Sequence, residues 1–215
     1  ALMNVAVRNG SMVYYLKYYV GDDGTRLFLI FDKTSIFISL GMLAFVIGVS
    51  LTKTLCTYFE KRTLMIALTI GNAITMAVFY VIPPDQYWLM LGVHCIGSLI
   101  IGPTPAIVWA MYADTADYGE WKTGRRTTGL VFSSVLFAQK MGLAVGAGLA
   151  GVILGWFGFI ANEAQSETSL AGIRFLFSVF PAILSILSAA AIIFYTINKA
   201  TIATFEKELA ERHAT

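Results

Sequence analysis

One lysine stands alone in the middle of an apolar stretch. Between Thr127 and Phe157 the only charged side chain is Lys140, and Gln139 precedes it. In a helix Lys140 would lie about 19 Å from the start of the stretch, near the middle of a hydrocarbon layer roughly 30 Å thick. A lysine stem reaches only about 6 Å, so the ammonium cannot extend to either surface. A charge at that depth needs a carboxylate, water or substrate hydroxyls, which is typical of a transport site.

A dense run of charges precedes this stretch. Asp114, Asp117 and Glu120 recur at every third residue and would lie on roughly one face of a helix. Arg125 and Arg126 follow at the start of the next apolar segment. Ion pairs between these acids and arginines can form in one conformation and break in another, which predicts a gate. The alternative is a solvated loop.

Other residues inside apolar segments are also candidates for substrate contact. Arg8 is either a cavity residue or an anchor at the cytoplasmic side. Tyr14 and Tyr15 either face a substrate or anchor a helix at the interface. Trp109 could stack on a sugar ring or simply pack. His94 is either a proton relay or a packed, hydrogen-bonded histidine.

The composition predicts the elements that must hold these residues. The chain is 57% apolar and 13% charged, with a mean hydropathy of +0.72, whereas soluble domains carry roughly 25% charged residues. We therefore expect an all-α membrane protein, with six transmembrane helices in one bundle over residues 1–198 and a cytoplasmic tail over 199–215. The predicted spans are about 1–20, 28–51, 63–82, 87–112, 127–157 and 173–196.

Some residues within these spans predict local geometry. Pro103 and Pro105 remove two backbone donors in the middle of the fourth span, which should break or bend that helix. Glycines four residues apart in the fifth span predict close helix contacts; they are Gly142 with Gly146 and Gly151 with Gly155. The tail alternates acids and bases, which predicts a short helix with a solvated face.

The basic residues predict the orientation. Nine lie on one side of the predicted spans: Lys53, Lys61, Arg62, Lys122, Arg125, Arg126, Lys199, Lys207 and Arg212. Three lie on or near the other side: Lys17, Arg26 and Arg174. Because basic loops stay in the cytoplasm, the loops after the second and fourth spans and the C-terminus are expected to be cytoplasmic.

Several other classes of protein are disfavoured. A net charge of +2 is too small to indicate nucleic-acid binding. The two cysteines have no zinc or haem spacing, so we predict no metal site and no bound cofactor. The only histidines are His94 and His213, and no HExxH or GxSxG motif is present, so we predict no catalytic residues and no enzyme. The N-terminus does not resemble a signal peptide, and the chain looks like part of something longer.

The charged run also carries a resemblance to a known family. It spells Asp114-x-x-Asp117-Tyr118-Gly119-Glu120-Trp121-Lys122-x-Gly124-Arg125-Arg126 and is followed by Gln139-Lys140. This pattern resembles the glycoside–pentoside–hexuronide:cation symporters, the melibiose permease-like branch of the major facilitator superfamily. The loop Phe59–Met65 is a weaker match, with Glu60 where that family usually has glycine. The whole chain is similar to the C-terminal half of such a transporter.

The resemblance implies a twelve-helix protein of the inner membrane that co-transports a sugar with Na⁺, H⁺ or Li⁺ by alternating access. It implies that Lys140 borders the sugar and cation sites, and that Asp114, Asp117, Glu120 and Arg126 form a cytoplasmic gate. The partners would be the sugar, the cation, the lipid bilayer and an N-terminal six-helix bundle that holds most cation-binding acids. A lipid or amphiphile symporter of the same fold and a non-transporting membrane assembly subunit remain alternatives.

Overall fold

The computed structural model describes residues 2–25 and 31–213, and these residues are largely helical. A π-helix over Tyr15–Tyr19 continues the first α-helix. The α-helices are α1 (Leu2–Tyr14), α2 (Lys33–Ser50), α3 (Thr52–Tyr58), α4 (Lys61–Val78), α5 (Tyr87–Ile101), α6 (Thr104–Thr123), α7 (Thr128–Trp156), α8 (Glu167–Phe177), α9 (Val179–Ile192) and α10 (Lys199–His213). Five sequence predictions involve parts outside the described residues: position 1 of the first span, Arg26, positions 28–30 of the second span, the end of the tail and the side chain of His213.

The long helices pack in pairs around an aromatic core. α1 packs against α7, α2 against α5, and α4 against α9. The core between these pairs contains large side chains that are fully buried, among them Tyr15, Phe37, Phe79, Met90 and Phe177. Because this core lies in one half of the bundle, the opposite end is held by smaller clusters and by polar contacts. We call that opposite end, where α4 and α7 begin and α6 ends beside α10, the basic end.

Four stretches of the described chain are long and apolar enough to cross a membrane. They are Lys33–Ser50, Tyr87–Thr123, Thr128–Trp156 and Glu167–Ile192. These stretches support four of the six predicted spans. The first and third predicted spans correspond to shorter or more polar helices, α1 with its π-helix and α4, which lie against the long ones.

The helix of the fourth predicted span is broken where the prolines predict, and it continues past the predicted end of that span. α5 stops at Ile101, and α6 starts at Thr104 after Gly102 and Pro103. α6 then continues to Thr123, so the acidic residues lie on a helix that extends beyond position 112, where the predicted span ends. The helix ends at Gly124 because this glycine takes φ = +67° and donates its N–H to the Glu120 carbonyl.

Local capping explains the other differences in helix bounds. Asp32 accepts a hydrogen bond from the Ser35 N–H at 2.7 Å, so α2 begins at Lys33, which lies inside the predicted second span and after its predicted start. Ser166 caps the sixth segment in the same way, which lets it begin at Glu167, six residues earlier than predicted. That segment is interrupted at Ser178, where α8 ends and α9 begins.

Candidate functional site

Lys140 lies on an exposed face of α7. Counting 1.5 Å per residue, it is about 18 Å from Thr128 and about 24 Å from Trp156, the two ends of that helix. The side chain is exposed and makes no ion pair or hydrogen bond within residues 2–25 and 31–213, and Gln139 beside it is half-buried. The described chain therefore leaves an ammonium unpaired at mid-depth of an apolar helix.

The two halves of α7 differ in how they pack. Its buried residues all lie after Lys140, and they are Gly146, Ala150, Ile153 and Leu154. A Cβ on Gly146 would lie 2.7 Å from the Met3 carbonyl oxygen, so the predicted close helix contact at this glycine is confirmed. The predicted contact at Gly151 and Gly155 is wrong for the described residues, because a Cβ at either would meet nothing within 4 Å. α1 thus holds the second half of α7, and the first half is open.

Trp109 connects α6 to this open half. Its ring stacks on Phe132 of α7, with centroids 5.9 Å apart and planes inclined by 13°. It also contacts Tyr112 edge-on at 5.8 Å. The side chain is still 42% exposed, so Trp109 both packs and presents part of its ring beside the open half of α7.

Tyr14 and Tyr15 lie at the edge and in the centre of the aromatic core. Tyr15 is fully buried and stacks on Phe177 with a centroid distance of 4.3 Å. Its hydroxyl donates to the Phe79 carbonyl at 3.4 Å. Tyr14 is half-buried and packs on Phe159 at 5.0 Å. The structure therefore does not bring these tyrosines to the face that carries Lys140.

Arg8 is enclosed by the same core. It is only 8% exposed, and its guanidinium lies 4.7 Å from the ring centre of Phe177 and 5.1 Å from that of Phe79. Its Nη1 has no hydrogen-bond partner within the described residues. An arginine enclosed in this way is not an anchor that extends to the surface, so that alternative does not fit. His94 is also packed inside, stacked on Phe37 at 4.0 Å.

Asp114 forms the central contact of the basic end. It is 8% exposed and accepts from the Lys61 ammonium at 2.6 Å. The Tyr195 hydroxyl donates to the same carboxylate oxygen at 3.3 Å. Burial, together with the neighbouring Asp114 carboxylate, raises the pKa of Tyr195 above its ordinary value, because the phenolate would lose water and face a negative charge. This contact ties the start of α4 and the middle of α6 to the segment after α9.

The remaining charges of the predicted gate do not join this contact. Glu120 forms an ion pair with Arg126 across the Gly124 turn, with 3.9 Å between the nearest atoms. Asp117 and Arg125 are exposed and have no ion pair within the described residues. The three acids therefore share one helix but differ in environment: the side chains of Asp114 and Glu120 are mostly buried, whereas Asp117 is exposed.

The tail forms the short helix that its charge pattern predicts, with most of its described residues exposed, but one face of this helix packs against α6. Phe205 of α10 is 1% exposed, and it packs beside Tyr118 and Trp121 of α6. The Trp121 indole N–H donates to Glu208 at 2.7 Å. Among the alternating acids and bases, Ile202, Phe205 and Leu209 recur at helical spacing and form an apolar stripe. This spacing is the sequence signal that predicts a packed face on the tail helix.

Lys61 and Tyr195 are the two functional candidates that sequence reasoning missed. In the sequence Lys61 is one of several basic loop residues, and Tyr195 lies near the end of the sixth predicted span. No local motif around either residue indicates its partner, because both contacts join distant parts of the chain. Within the described residues no group of three or more histidine, cysteine or acidic side chains could hold a metal ion.

Comparison with known proteins gives a consistent set of matches. The family described as "MFS/sugar transport protein" matches residues 1–199. The chain is 34% identical to the inner membrane symporter YicJ of Escherichia coli (strain K12), over 98% of this chain and 44% of that protein. It is 31% identical to an uncharacterized 29.9 kDa protein in the crtE 3' region of Pseudescherichia vulneris, over 89% of this chain and 68% of that protein.

A third relative is the putative sulfoquinovose importer of Escherichia coli (strain K12). It is 29% identical over 96% of this chain and 42% of its own length. The chain thus spans less than half the length of YicJ and of this importer.

Proposed function

This chain belongs to the MFS/sugar transport protein family, and on that premise we propose that it forms the C-terminal six-helix half of a sugar:cation symporter working by alternating access. Family membership confirms the predicted class: a multi-pass, all-α membrane protein that is a transporter and not an enzyme. Relatives named as a symporter and as an importer of a sugar derivative support the substrate and the coupling. The coverage of 44% of YicJ supports the half-length arrangement.

Lys140 is the observation that carries the proposal. A charged side chain costs about 2.5–3.5 kcal/mol at the centre of a membrane helix, so it is normally kept only where it has a partner or a cavity. Lys140 has no such partner in the described chain, and the half of α7 around it is open. An N-terminal bundle opposite this face would enclose Lys140, Gln139 and Trp109 in a central site. There the lysine would contact sugar hydroxyls or a carboxylate of the cation site.

The basic end supplies the gate in this proposal. Asp114 is already paired with Lys61 inside this half, so it holds the start of α4 against the middle of α6. Asp117 on α6 and Arg125 in the linker between α6 and α7 are both exposed. These two residues are the ones free to pair with the other bundle when the cytoplasmic side closes, while Arg126 exchanges between Glu120 and that bundle.

We place the basic end and the C-terminus in the cytoplasm. The excess of lysine and arginine at this end supports that orientation. The coupling ion in the proposal is Na⁺, H⁺ or Li⁺, and its carboxylate ligands belong mainly to the N-terminal bundle. Arg8, Tyr14 and Tyr15 have their side chains in the core of this half, so we give them no sugar contact here.

Uptake by the full-length transporter in proteoliposomes tests the proposal. A panel of radiolabelled glycosides, pentosides and hexuronides would be offered with and without Na⁺ and with and without a proton gradient. At least one sugar should accumulate against its gradient only when the coupling cation is present. Competition by amphiphiles but by no sugar would support the amphiphile symporter instead, and uptake of neither class would support an assembly role.

The role of Lys140 is tested in the same assay. Lys140→Ala should lower cation-driven accumulation by roughly tenfold or more, since a lost coupling of 1–3 kcal/mol corresponds to a factor of about 5–150. Lys17→Ala is the matched control, because Lys17 is an exposed lysine that donates to Asn162 at 3.0 Å, on the side opposite to the basic end. Normal accumulation by Lys140→Ala would exclude the lysine from the transport site.

A further inference from the structure

A glycine contact between α2 and α5 is followed by a gap at the basic end. A Cβ on Gly48 would lie 2.3 Å from the Leu99 carbonyl oxygen, and one on Gly102 would lie 2.6 Å from the Phe45 carbonyl oxygen. These two helices therefore touch through their backbones at this level. Pro103 interrupts the helix immediately afterwards. Beyond the contact, a cavity of about 430 Å³ lies between the ends of α2 and α3 and the first turns of α6.

The wall of this cavity is mainly carbon, with positive charge among its lining residues. Val49, Ala106, Ile107 and Ala110 supply apolar surface. The charged lining residues are Lys53 and Lys61. Lys61 is held by Asp114 at 2.6 Å, whereas Lys53 is exposed and has no partner within the described residues. An apolar trough with an unpaired ammonium matches a ligand that combines a hydrocarbon chain with an anionic head.

The same lining does not suit a sugar. Its two hydroxyl groups donate to carbonyls of their own helix turns, Ser50 to Ile47 at 2.7 Å and Thr52 to Val49 at 2.6 Å. The described lining also has no aromatic ring on which a sugar could stack. The donors that remain are therefore the lysine ammonium groups, which recognise an anion rather than a set of neutral hydroxyls.

We propose that this cavity binds an anionic phospholipid, with the headgroup phosphate on Lys53 and Lys61 and the upper acyl chain along α2 and α6. The inference rests on the proposed function only for the orientation, which places the cavity in the cytoplasmic leaflet where anionic lipids are found. A basic pocket between membrane helices on that side is the kind of site that such headgroups occupy. The phosphate and the Asp114 carboxylate then share the Lys61 ammonium.

Cys56 is a built-in reporter for this site, because it lines the cavity and is half-buried. The test uses the full-length transporter with Cys56 as its single cysteine, which includes Cys95→Ser in α5. It is reconstituted into vesicles of phosphatidylcholine alone or with phosphatidylglycerol. A neutral, membrane-permeant maleimide measures the rate of Cys56 modification in both. Occupancy of about 90% by phosphatidylglycerol would slow modification roughly tenfold, by simple ligand competition.

Two lysine variants separate a bound lipid from a general effect of the charged membrane. Lys53→Gln should abolish most of the protection by phosphatidylglycerol. Lys207→Gln, an exposed lysine of α10 outside the cavity, should retain it. Protection that persists in Lys53→Gln would overturn the proposal, because it would come from the vesicle surface alone.

The other outcomes also decide the question. Slow modification of Cys56 in both lipid mixtures would mean that the second bundle covers the cavity. Equally fast modification of Cys56 in both mixtures would mean that no lipid remains there. Either result overturns the proposal. The vesicles carry the same lipids in both leaflets, and no sugar is involved. A failure of sugar transport would therefore leave this result unaffected, so the two proposals can fail separately.

Discussion

The first half of α7 and the basic end carry their charges in opposite ways. Lys140 stands on an open helix face and has no partner in the described chain. Asp114 is buried and is bound by Lys61 at 2.6 Å and by Tyr195 at 3.3 Å. Both charges lie on long α-helices, and they differ in whether the surrounding residues pair with them.

The difference separates two purposes of a charge in a membrane protein. A charge that is satisfied within its own bundle stabilises that bundle and moves with it as one body. A charge left unpaired on an open face is costly by itself and acquires a partner only from a substrate, an ion or a second bundle. On this reasoning changes at the basic end should lower stability first, and changes at Lys140 should lower transport first.

The largest effect is expected where α1 holds the second half of α7. Gly146→Val would place carbon atoms on the backbone of Met3, where even a Cβ lies 2.7 Å from the carbonyl oxygen. Because backbone cannot give way as a side chain can, we expect a loss of about 3 kcal/mol, at the upper end of the usual overpacking cost. Thermal unfolding of the purified protein in detergent measures it.

Gly151→Val is the matched control for that change. It adds the same side chain to the same helix, at a position where a Cβ meets nothing within 4 Å. Its unfolding midpoint should stay close to that of the wild type. Equal losses in both valine variants would show that α7 is not held mainly at Gly146, and the contrast between its two halves would disappear.

The contrast between paired and unpaired charges is tested by Asp114→Asn. The substitution leaves Lys61 beside a neutral amide in a mostly buried place. Removing one member of a fully buried pair costs about 3–5 kcal/mol, and the side chain of Lys61 is 29% exposed, so we expect about 2 kcal/mol. Thermal unfolding in detergent measures this loss as well.

Two variants bracket that result. Asp117→Asn makes the same chemical change at an exposed position of the same helix and should cost less than about 0.5 kcal/mol. Lys140→Ala should be similarly mild for stability while it impairs uptake. A loss of stability in Lys140→Ala as large as that in Asp114→Asn would mean that both lysine and aspartate are structural, and the distinction would fail.

Much of the fold could be predicted from the sequence, because the position of a residue along a helix follows from counting residues. Counting residues from the start of an apolar stretch placed Lys140 at mid-helix, and the prolines located the break before α6. The direction of a side chain around its helix is harder to obtain. Tyr14 and Tyr15 have similar depth, yet one packs at the edge of the core and the other fills its centre.

Contacts between distant segments could not be predicted in this way. Asp114 meets Lys61 across 53 residues and Tyr195 across 81 residues of chain. The local pattern suggested Arg125 and Arg126 as partners, because they are near in sequence. Only the packing of α4 and the segment after α9 beside α6 brings the observed partners to this carboxylate.

The smallest expected effect is a pH dependence of the basic end. Burial and the Asp114 carboxylate raise the pKa of Tyr195 above its ordinary value of 10.0. A group whose pKa is raised by folding contributes its full stability below its unfolded pKa, and that contribution is lost as the pH rises through the folded pKa.

Tyr195→Phe removes the long hydrogen bond to Asp114 and should cost about 1 kcal/mol at neutral pH. The difference between wild type and Tyr195→Phe should then shrink as the pH is raised above 10.0. Chemical denaturation of both proteins across that range measures the difference. A gap that stays constant or widens would mean that the Tyr195 proton does not stabilise the contact, and Asp114 would then depend on Lys61 alone.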